Sequence, residues 1–465
     1  MTRTTLHRTA APGGAPARSA PADSPATAAR DLLAAWWPVL PAVATVLLLC
    51  VPAGHEDITE AVHITPADVS CLVLVVCCVV VLIHDRHRPL TLRAALVLAA
   101  PALAFAASTA ASPDPVQSLP GFVRYLQIFV LVPVALLLLL RTRRDFRTVA
   151  AAVVLIAVVQ GAIGVHQYLT GTGASYAGQD VRAVGTFGPL DIMGLAGVVA
   201  HGLITALAVG LAAPPSAPRW LRPSALLCAA LLTVPLVMSF SRGVWLSTAL
   251  AALVVLLLAG LRTALRTLIA VLLAGAAIAG FAGVGTGLIG ERLTSITRIV
   301  DAPDRSVTDR YSMWSAATEM WQTQPVTGVG IKQFPENRDS HASIGLSSGS
   351  DIAGAGVEFR REPLLSPHNM YLLILSEQGL LGLVLVVGSW GLLLVAVLRR
   401  LRGRLRGPRT GDCGLVAAGL LVLQLADFLS ADIGGPSTVL TAVTFGMAAW
   451  WAFSPAAAAE GPVPR

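Results

Sequence analysis

The chain has 465 residues, 33 basic and 26 acidic, so only 13% are charged; 55% are hydrophobic and mean hydropathy is +0.72. A soluble domain carries about 25% charge. The length would allow two or three soluble domains, but there is too little polar surface to cover them, which excludes a cytosolic enzyme, a disordered chain and a disulfide scaffold. The net charge of +7 and isoelectric point near 9.5 raise nucleic-acid binding as a question for the charge distribution.

Residues 1–33 are rich in Ala, Pro, Ser and Thr, carry Arg3, Arg8, Arg18 and Arg30, and lack a cleavable signal pattern. They read as a disordered N-terminus. A bilayer-crossing helix needs roughly 20 mostly apolar residues. Twelve runs approach this: 34–51, 67–83, 92–108, 122–140, 148–167, 190–212, 223–239, 244–260, 264–284, 368–398, 413–430 and 436–453. The first contains Pro38 and Pro41, and the ninth is Gly-rich toward its end. Residues 34–284 thus hold spans one to nine, 285–367 an outward loop, 368–453 spans ten to twelve, and 454–465 a tail. The expectation is an all-α polytopic membrane protein with about twelve transmembrane helices and one large, partly helical extracytoplasmic loop.

Basic residues mark cytoplasmic loops. One set of alternate loops, with both termini, holds 22 of the 33 basic residues and 6 acids, a balance of +16. It includes Arg86/Arg88/Arg93, Arg141/Arg143/Arg144/Arg147, Arg219/Arg222, Arg262/Arg266 and the run Arg399–Arg409. The other side holds 11 basic and 20 acidic residues, or −9. Both termini are therefore expected in the cytoplasm. The net charge is a topology signal, and no basic face with interleaved aromatics is present to grip nucleic acid. The six cysteines lie in or beside spans without a CxxC pattern or paired His, which speaks against a metal site. Cys50 and Cys71 both lie near the outer face, where they either pair or remain buried thiols.

The outward face carries the chemistry-bearing residues. Ser239-Phe-Ser-Arg-Gly243 is a very short connection in which two helix ends hold Arg242. A guanidinium matches phosphate oxygens in a bidentate way; the plainer reading is an interfacial anchor. The loop 285–367 far exceeds an ordinary connection. In it, Ser306-Val-Thr-Asp309 reads as a capping pattern. Tyr311, Trp314, Thr318 and Trp321 follow at helical steps, which suits either an interfacial helix or a small loop core. Thr327-Gly-Val-Gly-Ile-Lys-Gln-Phe334 is too short for a dinucleotide fingerprint and reads as a turn. Ser340–Gly356, rich in Gly and Ser, reads as mobile, a plain flexible loop or a lid. At span ten, Ser366 suits the N-cap and Pro367 the first helical position. His368 then falls in the first turn. The helix dipole disfavours imidazolium there, leaving a neutral His as a general base requires, or one that merely helps to cap. Arg124, Arg182 and Arg310 are further basic residues on this face, each alone a solvated charge.

In combination these residues resemble the O-antigen ligase/polymerase superfamily of membrane glycan transferases, with their GT-C-like helical folds. The resemblance rests on Ser241-Arg242-Gly243, Asp309-Arg310-Tyr-Ser-Met-Trp314, Pro325-Val-Thr-Gly-Val-Gly-Ile-Lys-Gln-Phe334, Pro367-His-Asn-Met-Tyr371 and Glu377-Gln-Gly-Leu-Leu-Gly382, in this order around one large outward loop. Arg182-Ala-Val-Gly-Thr-Phe-Gly-Pro189 also fits, although Asp191 stands where the family usually has Asn. The resemblance implies transfer of a glycan from a polyprenyl-diphosphate carrier, such as undecaprenyl diphosphate, to a glycan or glycolipid acceptor at the outer face of the cytoplasmic membrane. The product would be lipopolysaccharide or exopolysaccharide. It implies an inverting reaction without metal or cofactor. Arg242 and Arg310 would hold the diphosphate, with Arg182 and Arg124 as weaker additions. His368 would be the base, and Asn369, Glu377 and Ser241 would support the site. Two other classes fit twelve spans: a secondary transporter or flippase, and a non-catalytic scaffold. Transporters show internal repeats and midplane ionisable residues. No repeat is seen here, and His166 is the main buried exception in charge placement.

Overall fold

The computed structural model describes residues 37–52, 65–85, 90–176, 182–191, 193–214, 216–266, 269, 305–342, 350–354, 357–362, 365–405, 411–435 and 437–457. Most of the ninth apolar run, the N-terminal stretch and most of the tail lie outside the described residues.

The first helix, α1 (Leu40–Leu47), takes Pro41 in its first turn and runs on through a 3₁₀ turn to Cys50. Next come α2 (Pro66–Asp85) and α3 (Leu92–Ala111). The following span runs as α4 (Pro115–Leu126), a π segment (Gln127–Leu131) and α5 (Val132–Leu139). Then follow α6 (Arg143–Thr170), α7 (Gly194–Ala212), α8 (Leu221–Met238) and α9 (Arg242–Ala259). The large loop contributes α10 (Arg305–Thr323) and α11 (Phe334–His341). The chain returns through α12 (Met370–Gly382), a π segment (Leu383–Val387) and α13 (Gly388–Leu405), and ends with α14 (Asp412–Asp427) and α15 (Thr438–Phe453).

Among the described residues, eight helical stretches are long and apolar enough to cross a membrane. The runs at 34–51, 413–430 and 436–453 are helices too, but α14 and α15 have 16 residues each and Leu40–Cys50 is shorter still. A strand component was not expected. β1 (Ala174–Tyr176), β2 (Ser350–Gly354) and β3 (Val357–Glu362) form one antiparallel sheet in the order β1-β2-β3. Part of the Gly/Ser stretch read as mobile is therefore a strand paired on both edges.

The long helices present two kinds of face. Val69, Leu72, Val76, Val80 and Ile83 of α2 and Leu246, Leu250, Leu253 and Leu257 of α9 are exposed. Such continuous apolar stripes suit lipid. The interior is centred on α7, α14 and α15, which are buried over most of their lengths. Close approach there uses small residues, as in membrane bundles. A β-carbon on Gly419 would stand 2.6 Å from Val255, and one on Gly446 2.4 Å from Leu136.

The ends of the bundle differ chemically. At one end, Arg147 forms a two-pronged pair with Asp412 (2.6 and 3.1 Å), and Arg143 and Arg400 donate to the terminal carbonyls of Ala457, Ala452 and Ser454. These belong to the basic loops read as cytoplasmic. His166 is exposed, and the buried histidine of the bundle is His201, whose Nδ1 bonds the Gly197 carbonyl at 2.7 Å. Cys50 and Cys71 are free thiols.

Candidate functional site

Two backbone junctions build the site. The first is a break in α12. Gly379 adopts φ 62°, ψ −161°, interrupting the helix about 13 Å along its axis from Met370 at 1.5 Å per residue. A broken helix at membrane depth needs protein partners for its freed backbone groups. The segment 325–334 supplies them. Leu380 and Leu381 amides donate to the carbonyls of Pro325 (2.9 Å) and Val326 (3.0 Å), and Val329 and Gly330 amides donate to those of Ser376 and Glu377 (both 2.9 Å). The GxG turn read from the sequence is the part that makes this contact possible: Gly328 and Gly330 take φ of 68° and 109°. Glu377 anchors the junction from both ends. Its carbonyl also accepts from Ser108 (2.7 Å), and its carboxylate accepts from the Phe334 amide (3.1 Å).

The second junction is the connection 427–437 between α14 and α15. The Met370 amide donates to the carbonyls of Phe428 (2.9 Å) and Ala431 (3.1 Å). Asn369 Nδ2 donates to Leu429 (3.1 Å), and Tyr371 Oη donates to Leu425 (2.7 Å). Gly243 of α9 packs against Ser430, whose Oγ would lie 2.2 Å from an added β-carbon. Ser247 donates to Asp427 (3.3 Å), and the Ser437 amide donates to Asp191 (3.0 Å). One short connection thus gathers the starts of α9, α12 and α15 and the 3₁₀ turn Gly188–Asp191. Beneath it, Tyr371, Trp390, Phe428, Phe129 and Phe445 form a chain of ring contacts.

The start of α12 differs from the sequence expectation. Asn369, not Ser366, is the N-cap: its Oδ1 accepts from the amides of Tyr371 and Leu372, each at 3.1 Å. His368 lies before the cap with φ 48°, a conformation rare for a residue with a β-carbon. Its neighbours hold it there, because Trp314 Nε1 of α10 donates to the Pro367 carbonyl at 2.8 Å. Likewise α10 begins at Arg305, so Ser306 is inside its first turn and not a cap. The face of α10 turned inward is Met313, Ala316, Ala317 and Met320, while Tyr311 is half exposed and stacks edge-on with Trp314.

His368, Arg310 and Asp432 lie within electrostatic reach of one another. Burial pushes the His368 imidazole below its ordinary value; Asp432 opposes that shift and Arg310 reinforces it. Arg310 also acts on Asp427. Asp432 Oδ2 is buried without a hydrogen-bond partner among the described residues, and Tyr125 lies beside both Asp432 and Glu377. Burial raises the Asp191 carboxyl, opposed by the Ser437 hydrogen bonds.

The remaining arginines divide. Arg242 opens α9 after Ser241 and follows Phe240, which has φ 50°. Trp245 Nε1 donates back to Leu236 (2.8 Å) and closes this hairpin. Arg182 shares the corner: its backbone pairs with Ala174 (2.7 and 3.0 Å), and the next amide, of Ala183, donates to Met238 (3.2 Å). Arg124 turns elsewhere. It pairs with Asp68 of α2, and Gln127 joins the same carboxylate at 3.2 Å. The structure therefore brings His368, Arg310, Asp427 and Asp432 within electrostatic reach, packs the start of α9, next to Ser241 and Arg242, against Ser430 of the same connection, and pairs Arg124 with Asp68. Sequence reading missed Asp432 and the role of the 427–437 connection. The available signal was two acids on a short outward connection, the mirror image of Arg242 on its own. Among the described residues, no three His, Cys, Asp or Glu side chains group as metal ligands.

Residues 227–387 match the family model described as O-antigen ligase. This stretch is similar to the O-antigen ligase family and supports the O-antigen ligase/polymerase resemblance read from the motifs. It runs from within α8 to the end of the second π segment and includes Ser241, Arg242, Arg310, His368, Asn369 and Glu377. Asp427 and Asp432 lie beyond it, and Arg124 and Arg182 before it. The match supports glycan transfer of the O-antigen ligase type, with lipid-linked glycan substrates in a bilayer, by a multi-pass membrane protein. No curated protein matches the chain.

Proposed function

We propose that the protein transfers a glycan from a polyprenyl-diphosphate carrier to an acceptor hydroxyl at the outer face of the cytoplasmic membrane, with both termini in the cytoplasm. The observation that carries this reading is the gathering of His368, Arg310 and Asp432 at the helix-end junction where α9 presents Arg242.

A neutral His368 takes the proton of the acceptor hydroxyl. The acceptor oxygen attacks the anomeric carbon from the face opposite the diphosphate, so the configuration inverts. The bond between that carbon and the diphosphate oxygen breaks, and its electron pair leaves with the polyprenyl diphosphate. Negative charge grows on the leaving group, and the guanidinium groups of Arg242 and Arg310 stabilise it, Arg182 assisting from the same corner. Preorganised donors of this kind each contribute ~10²–10³ in rate. On this reading the charge is met by arginines, with no metal or organic cofactor in the step. Asp432 faces the imidazole and steadies the imidazolium that forms. Asn369 and Glu377 fix the backbone on either side of the reacting groups, and Arg124 acts at a distance through the Asp68 pair.

The test uses the purified full chain with a lipid-diphosphate oligosaccharide and an acceptor glycan. Arg242→Ala and His368→Ala each reduce turnover at least ~100-fold. Wild-type turnover by both variants refutes the assignment. Deletion phenotypes separate the two activities of the family: retained single repeats mark a polymerase, and long unattached lipid-linked chains mark a ligase.

A further inference from the structure

The N-terminus of α9 is built as an N-cap and is not used as one. Ser241 has the cap position and the extended conformation a capping serine needs, φ −91° and ψ 94°. Its side chain nevertheless accepts no first-turn amide. Ser241 is 1% exposed, and its Oγ has no hydrogen-bond partner among the described residues. A buried helix end whose cap side chain accepts no amide leaves its first-turn amides to be met by other groups, water or a ligand. The helix has 18 residues, so its positive end is well developed. Gly243 in the first turn is packed against Ser430, one residue from the carbonyl that holds the Met370 amide beyond His368. The uncapped end therefore adjoins the proposed reaction centre.

We propose that Ser241 Oγ and the first-turn amides of α9 form a subsite for the oxygens of one phosphoryl group, with the Arg242 guanidinium beside it. This rests on the diphosphate-carrier reading above and adds a second kind of donor to it. The hydroxyl donates to a phosphoryl oxygen, and the Gly243 and Val244 amides meet the same anion, as helix N-termini do for phosphate elsewhere. The ligand class is an isoprenyl diphosphate, either as a lipid headgroup or as the free diphosphate.

The experiment measures binding of a short isoprenyl diphosphate, and separately of inorganic diphosphate, to the full chain in detergent. Wild type, Ser241→Ala, Ser241→Thr, Ser241→Asn and Arg242→Ala are compared, each with its melting temperature. Ser241→Ala is expected to weaken both probes at least ~10-fold, the size of a hydrogen bond to a charged group. Ser241→Thr keeps the hydroxyl and stays near wild type. Ser241→Asn supplies a strong neutral cap, so it melts no lower than wild type and binds more weakly. A merely structural serine predicts the opposite: a better cap with binding kept. Equal binding by wild type and Ser241→Ala, with Arg242→Ala weakened, overturns the subsite and leaves the carrier reading intact. A loss confined to the isoprenyl probe assigns Ser241 to the lipid tail and overturns the subsite. Failure of wild type to bind either probe overturns the carrier reading and the subsite with it.

Discussion

Gly328→Ala tests the junction that sets the depth of the site. The added β-carbon would lie 2.3 Å from the Glu377 carbonyl carbon, 2.4 Å from the Gln378 nitrogen and 2.6 Å from the Glu377 oxygen. All three are backbone atoms of the broken helix, so no side-chain rotation relieves the overlap. The φ of 68° adds the left-handed penalty of about 1–2 kcal/mol. Separating the two strands strains the bonds from Val329 to Ser376 and from Gly330 to Glu377, both 2.9 Å, at ~0.5–1.5 kcal/mol each. The sum is a destabilisation of about 2–5 kcal/mol. Gly388→Ala is the control, because nothing lies within 4 Å of its added β-carbon and its φ is ordinary. It is neutral or stabilises by up to ~1 kcal/mol through helix propensity. Thermal unfolding of the purified chain in detergent, followed by near-ultraviolet circular dichroism, compares the two. Equal melting temperatures for Gly328→Ala and Gly388→Ala would show that segment 325–334 does not sit against the break in α12.

The electrostatics around His368 give a pair of opposite shifts. On the proposed mechanism the reaction uses the neutral imidazole, so the rate is expected to fall as pH drops through the His368 value, which lies below the ordinary ~6.5. Asp432→Asn removes the group that raises this value and moves the acid limb of the pH–rate profile lower; Arg310→Ala moves the limb of its residual activity higher. Shifts in the same direction would refute the arrangement. The same depression makes His368 stabilise the fold above pH ~6.5, and this stability fades as pH falls below that value, because the unfolded chain then binds the proton more readily. Gly243→Ala drives a methyl against Ser430 and is expected to lower kcat at least ~10-fold; Ser430→Gly in the same chain restores it if the contact is the cause. For Arg124 and Asp68, a double-mutant cycle in thermal stability is expected to show coupling, with the double variant losing less than the two single losses combined. Additive losses would mean that the pair does not form.

The fold was largely legible because lipid imposes a length and composition rule on every span. Eleven of the twelve apolar runs contain helix, eight helical stretches among the described residues are long enough to cross a membrane, and most of the ninth run lies outside the described residues. The turn at Gly328 and Gly330 was also legible, since only glycine crowding distinguishes such a segment. The N-cap of α12 was misplaced because Ser366 and Asn369 are both capping types and Pro367 favours the earlier one. Tertiary contact decides between them: the Leu429 carbonyl takes the Asn369 amide from 60 positions away. The same distance problem hid Asp432 and the partner of Arg124, since Asp68 stands 56 positions upstream on another helix. Local spacing reports a face and a turn, whereas an ion pair or an acid facing a base depends on which helix ends the fold gathers.

The sequence and the structure give different causes for the low proton affinity of His368. The sequence placed it in the first turn of a helix and made it neutral through the dipole. In the structure it precedes the cap, and burial is the largest influence on its proton. Asp432 and Arg310 act in opposite directions, so their charges partly offset and leave burial in control. That has a chemical consequence. A base kept neutral by exclusion of water gains proton affinity whenever the site opens, and loses it again on closing. On the proposed mechanism, an acceptor that excludes water favours the neutral imidazole, and Asp432 offsets the charge of the imidazolium once the proton has been taken.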